Sequence, residues 1–256
     1  MKKILLSFAL IIGTGMVVAS ATVAFFSDTE TSAGNVFTAG TIDLTVDSFG
    51  ATYNGQSIVG ANFSADNLTT QKFFTFNDIK PGDWGIRHIS LHGESNPAYA
   101  CMLLEDKQDQ ENGINEPESA VDNTPEGELS GRLNMFAWED RDGDNKYEPL
   151  TPNFEPALVG DGASFAPDSF FDITYKVLFD STSGLGALTQ NNVRNVAVAW
   201  CAGNQNVVHD NSLGNITCDG GVANDYQTDS FDADVVLYAE QVRNNPNFKC
   251  SDLVLP

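Results

Sequence analysis

The sequence predicts an all-β protein: a jelly-roll-like β-sandwich with long acidic loops, behind an N-terminal secretory signal peptide. Three observations carry this. Short runs with apolar residues at alternate positions recur along the chain. Gly, Asn, Asp and Pro separate those runs, as turns between strands require. No long stretch follows the helical period.

The elements follow in order. Met1, Lys2 and Lys3 are a basic start, residues 4–18 are apolar, and residues 19–24 are small. That is the three-part layout of a signal peptide. The apolar run is shorter than the roughly 20 residues a membrane span needs. A signal peptidase is expected to cut after Ala21 or after Ala24, the latter removing residues 1–24 and leaving residues 25–256 as a single secreted domain with no membrane attachment. Residues 41–46 alternate, with Ile42, Leu44 and Val46 facing inward, and Asn54-Gly55 has the composition of a tight hairpin turn. Residues 73–76 form a second run, and residues 88–92 a third with Ile89 and Leu91 inside. Residues 133–138, 171–179, 196–200 and 231–237 complete the strand set. Residues 105–128 are acidic and hold Gly113, Pro117, Pro125 and Gly127, which reads as a long loop inserted in the domain. Residues 241–244 end the last strand or form a short helical turn.

Composition narrows the function. The 256 residues hold 13 Lys and Arg against 35 Asp and Glu, a net charge of −22. Phosphate backbones reward clustered cations, so nucleic acid is excluded as a partner. The same balance argues against docking on an anionic membrane. Since 41% of residues are hydrophobic and only 19% are charged, the chain can build a core. An acidic surface suits an exported protein, or one that collects divalent cations.

Export puts the cysteines in an oxidising setting. Cys101, Cys201, Cys218 and Cys250 are widely spaced and lack the paired spacing of a zinc or redox site, so two disulfides are expected. Four cysteines allow three connectivities. The favoured one joins Cys201–Cys218, which closes a Gly/Asn-rich loop, and leaves Cys101–Cys250.

The sharpest chemical signal is residues 140–148, Asp-Arg-Asp-Gly-Asp-Asn-Lys-Tyr-Glu. Carboxylates at alternate positions converge when the chain curls around a cation, and glycine permits the curl. The candidate ligands are the Asp140, Asp142 and Asp144 side chains, the Lys146 carbonyl and Glu148, an oxygen set suited to Ca²⁺. The loop is not an EF-hand: Asn145 stands at the sixth position and Thr151 at the twelfth. Affinity is expected in the weak extracellular range, ~10⁻⁴–10⁻³ M. Residues 112–118 are a further candidate source of one oxygen for this loop.

No catalytic site is expected. There is no H-E-x-x-H helix, no G-x-S-x-G elbow and no phosphate cradle. His88 and His92 lie on a strand, about 13 Å apart at 3.3 Å per residue, and read as exposed. His209 stands in a polar loop without an evident partner. Trp138 and Trp200 read as core, and Trp84 as exposed. Asn62, Asn67 and Asn215 head glycosylation sequons, which matter only in a host that modifies them.

Residues 24–28, Ala-Phe-Phe-Ser-Asp, run into residues 35–44, Asn-Val-Phe-Thr-Ala-Gly-Thr-Ile-Asp-Leu. With Ile79-Lys80-Pro81-Gly82-Asp83 before an alternating strand, and with residues 227–234 and 243–246, this resembles the TasA/camelysin family of secreted biofilm-matrix proteins. The resemblance implies export through a dedicated signal peptidase, with cleavage before Phe25, and a jelly-roll domain that assembles into extracellular fibres. It implies that residues 25–41 of one subunit, with Phe25, Phe26, Val36 and Phe37 as contacts, complete the sheet of the next. The partner would be a second copy or a homologous subunit, joined by strand addition. The residues themselves leave two alternatives open, Phe25 and Phe26 folding into their own core and a monomeric surface binding module; the resemblance adds a third, a camelysin-like metallopeptidase, which would need a zinc site that the residues do not supply.

Overall fold

The structure is a computed structural model that describes residues 27–31, 42–74, 79–158, 176–221 and 224–253. The expected signal segment 1–24 and the expected contacts Phe25, Phe26, Val36 and Phe37 lie outside the described residues, as do Phe76 and residues 171–175.

Two antiparallel sheets carry the fold. The four-stranded sheet has the order β1 (Ser27–Thr31), β13 (Ser230–Gln241), β7 (Ala98–Gln110) and β9 (Lys176–Phe179). The five-stranded sheet has the order β5 (Phe63–Asp66), β2 (Leu44–Phe49), β6 (Trp84–Gly93), β10 (Asn192–Ala202) and β8 (Leu133–Glu139). Two hairpins stand apart, β3 (Thr52–Tyr53) with β4 (Gln56–Ser57), and β11 (Asn204–Val207) with β12 (Ile216–Asp219). The β3–β4 turn is Asn54-Gly55, with φ of 48° and 75°, the positive pair that a right-twisted two-residue hairpin demands. Helical structure among the described residues is slight: α1 (Leu129–Arg132) and a 3₁₀ turn at Cys250–Asp252. No helix among them is long and apolar enough to cross a membrane. The protein is therefore all-β, and its chain passes between the sheets from β6 to β7, β7 to β8, β8 to β9 and β9 to β10.

The period-two pattern explains the layers. Leu44 and Val46 of β2, Ile89 and Leu91 of β6, and Val196 and Val198 of β10 point to one face of the five-stranded sheet. They meet Ala100 and Met102 of β7 and Leu237 and Ala239 of β13 in one core between the sheets. The alternate residues point outward and are not all in water. Phe136, Trp138, Ala197 and Ala199 form a second cluster with Tyr147 and Val207, under the 140–158 segment and the β11–β12 hairpin. Cys101, Leu103, Val236 and Tyr238 form a third on the outer face of the other sheet, with Cys250 and Phe248 of the C-terminal segment against them. Disulfides join Cys101 to Cys250 and Cys201 to Cys218, the pairs favoured from spacing. The first fastens the C-terminal segment to β7, and the second fastens β12 to β10.

Two expectations need correction. Phe73 and Phe74 are not in a strand: Phe73 sits buried in a bend, and the neighbouring Lys72 carbonyl accepts from the Arg87 guanidinium rather than from a strand partner. Residues 105–110 are not loop. They continue β7, because β13 offers main-chain partners as far as Ser230 opposite Gln110. The Glu105 and Asp106 side chains face solvent beside that ladder, which a bulge at Asp232–Asp234 interrupts, while half-buried Asp109 accepts from the Ser130 N–H (2.8 Å) and hydroxyl. The last strand ends at Gln241 in a turn over residues 242–244.

Candidate metal centre

The acidic loop begins where β8 leaves its sheet. The Asp140 N–H still donates to the Asn195 carbonyl of β10 (3.0 Å), so the residue is held against the sheet and is fully buried. The chain then curls, with positive φ at Gly143 (77°) and Asn145 (64°). Glycine takes that conformation freely and asparagine at small cost. The curl turns two N–H groups back onto the Asp140 carboxylate: Gly143 donates to Oδ1 and Asn145 to Oδ2, each at 2.9 Å. His88 Nε2 on the outer face of β6 lies 3.0 Å from Asp140 Oδ2, off the line of a good hydrogen bond. Burial pushes the Asp140 carboxyl up, but His88 and the two backbone donors outweigh it and hold it below the usual aspartate value.

Glu155 closes the loop from the other side. It is fully buried, and its carboxylate accepts the N–H of Arg141 (2.8 Å) and of Glu148 (3.0 Å), while its own N–H donates to the Glu148 carbonyl (2.8 Å). Burial, with the charges of Asp140 and Asp142 nearby, overcomes those donors and pushes this carboxyl up to about 8. One carboxylate oxygen from each of Asp140, Asp142 and Asp144 lies within 4.8 Å of the other two. Asp144 is raised by burial and by the charges of Asp142, Asp140 and Glu148. Asp142 and Asp144 face solvent, so this is an open cluster on a buried anchor.

Of the other two expected ligands, Glu148 is tied in indirectly. Asn153 Nδ2 donates both to Glu148 Oε2 and, at 3.2 Å, to Asp142 Oδ2. The Lys146 ammonium pairs with Glu148 Oε1 and, with Asn153, holds the Glu148 carboxyl below its usual value. The donor set is oxygen throughout and fits a hard cation. An ion that recruited Glu148 would have to displace Lys146. The side chains at this site that the sequence reading did not assign to it are Glu155, Asn153 and His88. Nothing local in the sequence tied Glu155 or His88 to Asp140.

The 112–118 stretch does not join this cluster. Glu118 gathers instead with Glu111 and Asp229. That group lies beyond the other end of β8, and the strand's seven residues span about 23 Å at 3.3 Å each. His88 is buried rather than exposed, since the 140–158 segment covers its face of the sheet. His92 is partly exposed and bonds Asp47 at 2.8 Å, so the two rings serve different acids. The lone His209 has a partner after all, the Tyr147 hydroxyl at 2.9 Å. Trp138 and Trp200 are buried, and Trp84 is 37% exposed. Asn215 is buried with its Nδ2 donating to the Tyr147 and Asp210 carbonyls (2.6 Å each), so this sequon is closed to modification in the folded chain.

No protein-family model matches the chain, and no curated protein aligns with it significantly. Fold and site together define a disulfide-bonded, strongly acidic all-β protein whose carboxylates cluster in loops at strand ends of both sheets. The bridges suit an oxidising, extracellular setting.

Proposed function

We propose that the protein is a secreted structural subunit of cell-surface fibres or extracellular matrix, built on a jelly-roll-like sandwich and assembling by β-strand addition. The 140–155 loop, loaded with Ca²⁺, and the two disulfides would hold the subunit rigid. The carrying observation is the pairing of β1. Its five residues run antiparallel to β13, from Ser27 opposite Glu240 to Thr31 opposite Val236. Among the described strands β1 pairs with no other. A segment attached by one ladder at a sheet edge is replaceable by the same segment of a neighbouring copy, because main-chain bonds carry the affinity. Without it, β13 would present an open edge. The resemblance of residues 24–44 to the TasA/camelysin junction points the same way.

The same pairing favours a second reading, in which residues 27–31 close their own sheet and the protein stays a monomeric surface module. Negative-stain microscopy of residues 25–256, beside a version lacking residues 25–34, tests the proposal. Filaments that require residues 25–34 are expected. Monomers from both versions, with and without Ca²⁺, would refute self-assembly.

A further inference from the structure

A second acidic cluster sits where the 111–128 loop meets the start of β13, and it is better enclosed than the first. Glu111 follows β7 directly, Asp229 precedes β13 directly, and Glu118 lies in a helical turn of the loop between. One carboxylate oxygen from each lies within 4.8 Å of the other two. Glu118 is only 1% exposed.

The hydrogen bonding divides each carboxylate in the same way. Glu111 Oε1 accepts the Gly113 N–H (2.8 Å). Glu118 Oε2 accepts the Asn115 N–H (3.3 Å) and the Thr228 hydroxyl (3.4 Å). Asp229 Oδ2 accepts the Glu128 N–H (2.6 Å). The second oxygen of each, Glu111 Oε2, Glu118 Oε1 and Asp229 Oδ1, is buried and has no hydrogen-bond partner in the protein. Glu128 Oε2 beside them is in the same condition. None of the described ion pairs neutralises these acids. In the 140–155 loop, by contrast, no carboxylate oxygen is left in this state. Like charges held this close, buried and unpaired, are costly unless protons or a cation compensate them. Burial and the neighbouring acids accordingly push Asp229 up to about 6 and Glu128 up to about 7.

We propose that Glu111, Glu118 and Asp229 form a second cation site, for a divalent ion of the Ca²⁺ class, which fastens the 111–128 loop to the start of β13. Three hard oxygens left over by the protein's own hydrogen bonds, with others nearby, are the donor type such an ion takes. The ion would join Glu111 and Glu118, close together in one loop, to Asp229, more than a hundred residues further along the chain, at the end of the β7–β13 ladder. This inference stands apart from the fibre reading, since it concerns the fold of one subunit.

Amide hydrogen exchange of the full chain in CaCl₂, against NaCl of equal ionic strength, tests it. With a dissociation constant near ~10⁻³ M, about 10 mM Ca²⁺ should slow exchange at residues 113–121 roughly tenfold. The slowing should survive in an Asp142→Asn/Asp144→Asn variant and vanish in Glu118→Gln, which keeps the side chain's shape. Equal exchange of the parent protein in the two salts would overturn the site, whether or not Glu118→Gln folds. Slowing that persists in Glu118→Gln and vanishes in the double variant would overturn it too.

Discussion

Removing the Cys101–Cys250 bridge should cost more stability than removing Cys201–Cys218. The two cross-links span 149 and 17 residues. In the chain-entropy model the long loop is worth about 5 kcal/mol and the short one about 3 kcal/mol. The short loop lies inside the long one and shortens it by only about a tenth, a minor change in a logarithmic term. Native packing pushes in the same direction. Cys101 and Cys250 are fully buried beside Tyr238, whereas Cys218 is partly exposed, so truncation leaves the larger void at the long bridge. The comparison is Cys101→Ala/Cys250→Ala against Cys201→Ala/Cys218→Ala, by urea unfolding at 25 °C and by calorimetry. The expected gap is about 2 kcal/mol; the long-bridge variant should melt about 10–20 °C below the parent and the short-bridge variant about 6–12 °C below. Equal losses, or a larger loss from the short bridge, would refute the loop-entropy reasoning and place the stabilisation in local contacts of β10 and β12.

Three further outcomes are expected. Asp180 is buried and accepts N–H bonds from Cys250 (3.0 Å), Thr182 (2.8 Å) and Ser183 (3.0 Å); burial raises its carboxyl, but the Thr182 hydroxyl and these donors win and hold it below its ordinary 3.8. A depressed carboxyl stabilises the fold above its unfolded value and loses that contribution as pH falls through the folded one, so Asp180→Asn should cost about 2 kcal/mol at pH 7 and flatten the stability profile below about pH 4. Trp138 is fully buried against Phe136 and Tyr147 while its indole N–H has no partner, so Trp138→Ala should cost about 3–5 kcal/mol and Trp138→Phe only about 1 kcal/mol, read by urea unfolding. Glu155→Ala would strip the acceptor from the N–H groups of Arg141 and Glu148, with an expected loss of about 2–4 kcal/mol and faster amide exchange across residues 141–148.

The inner strands were legible because one face of each packs on the common core. Ile42, Leu44, Val46, Ile89 and Leu91 all follow that alternation into the interior. The outer faces were not legible. They are covered by segments distant in sequence, and a strand cannot announce in advance that the 140–158 segment will bury His88. The same reasoning accounts for residues 105–110, which look like loop until Phe231 and Asp232 supply ladder partners across more than a hundred residues. Phe73 and Phe74 misled because Phe73 is buried and Phe74 half-buried without strand pairing. At the first acidic cluster, spacing alone brought Asp140, Asp142 and Asp144 together, since a local curl suffices. At the second, Glu118 and Asp229 meet only through the β7–β13 pairing, and a chain holding 35 acids hides such a pair.

Strand exchange is the central claim, and the β1–β13 register offers the most direct test of it. Asp28 stands opposite Ala239. One preparation would carry Asp28→Cys and the other Ala239→Cys, a small change at the core-facing position; the two would be mixed under assembly conditions, oxidised and mapped by mass spectrometry. Strand addition predicts a disulfide between position 28 of one chain and position 239 of another. If the mixture yields no such dimer, while a chain carrying both substitutions closes the 28–239 bridge within itself, β1 belongs to its own sheet and the fibre mechanism is contradicted.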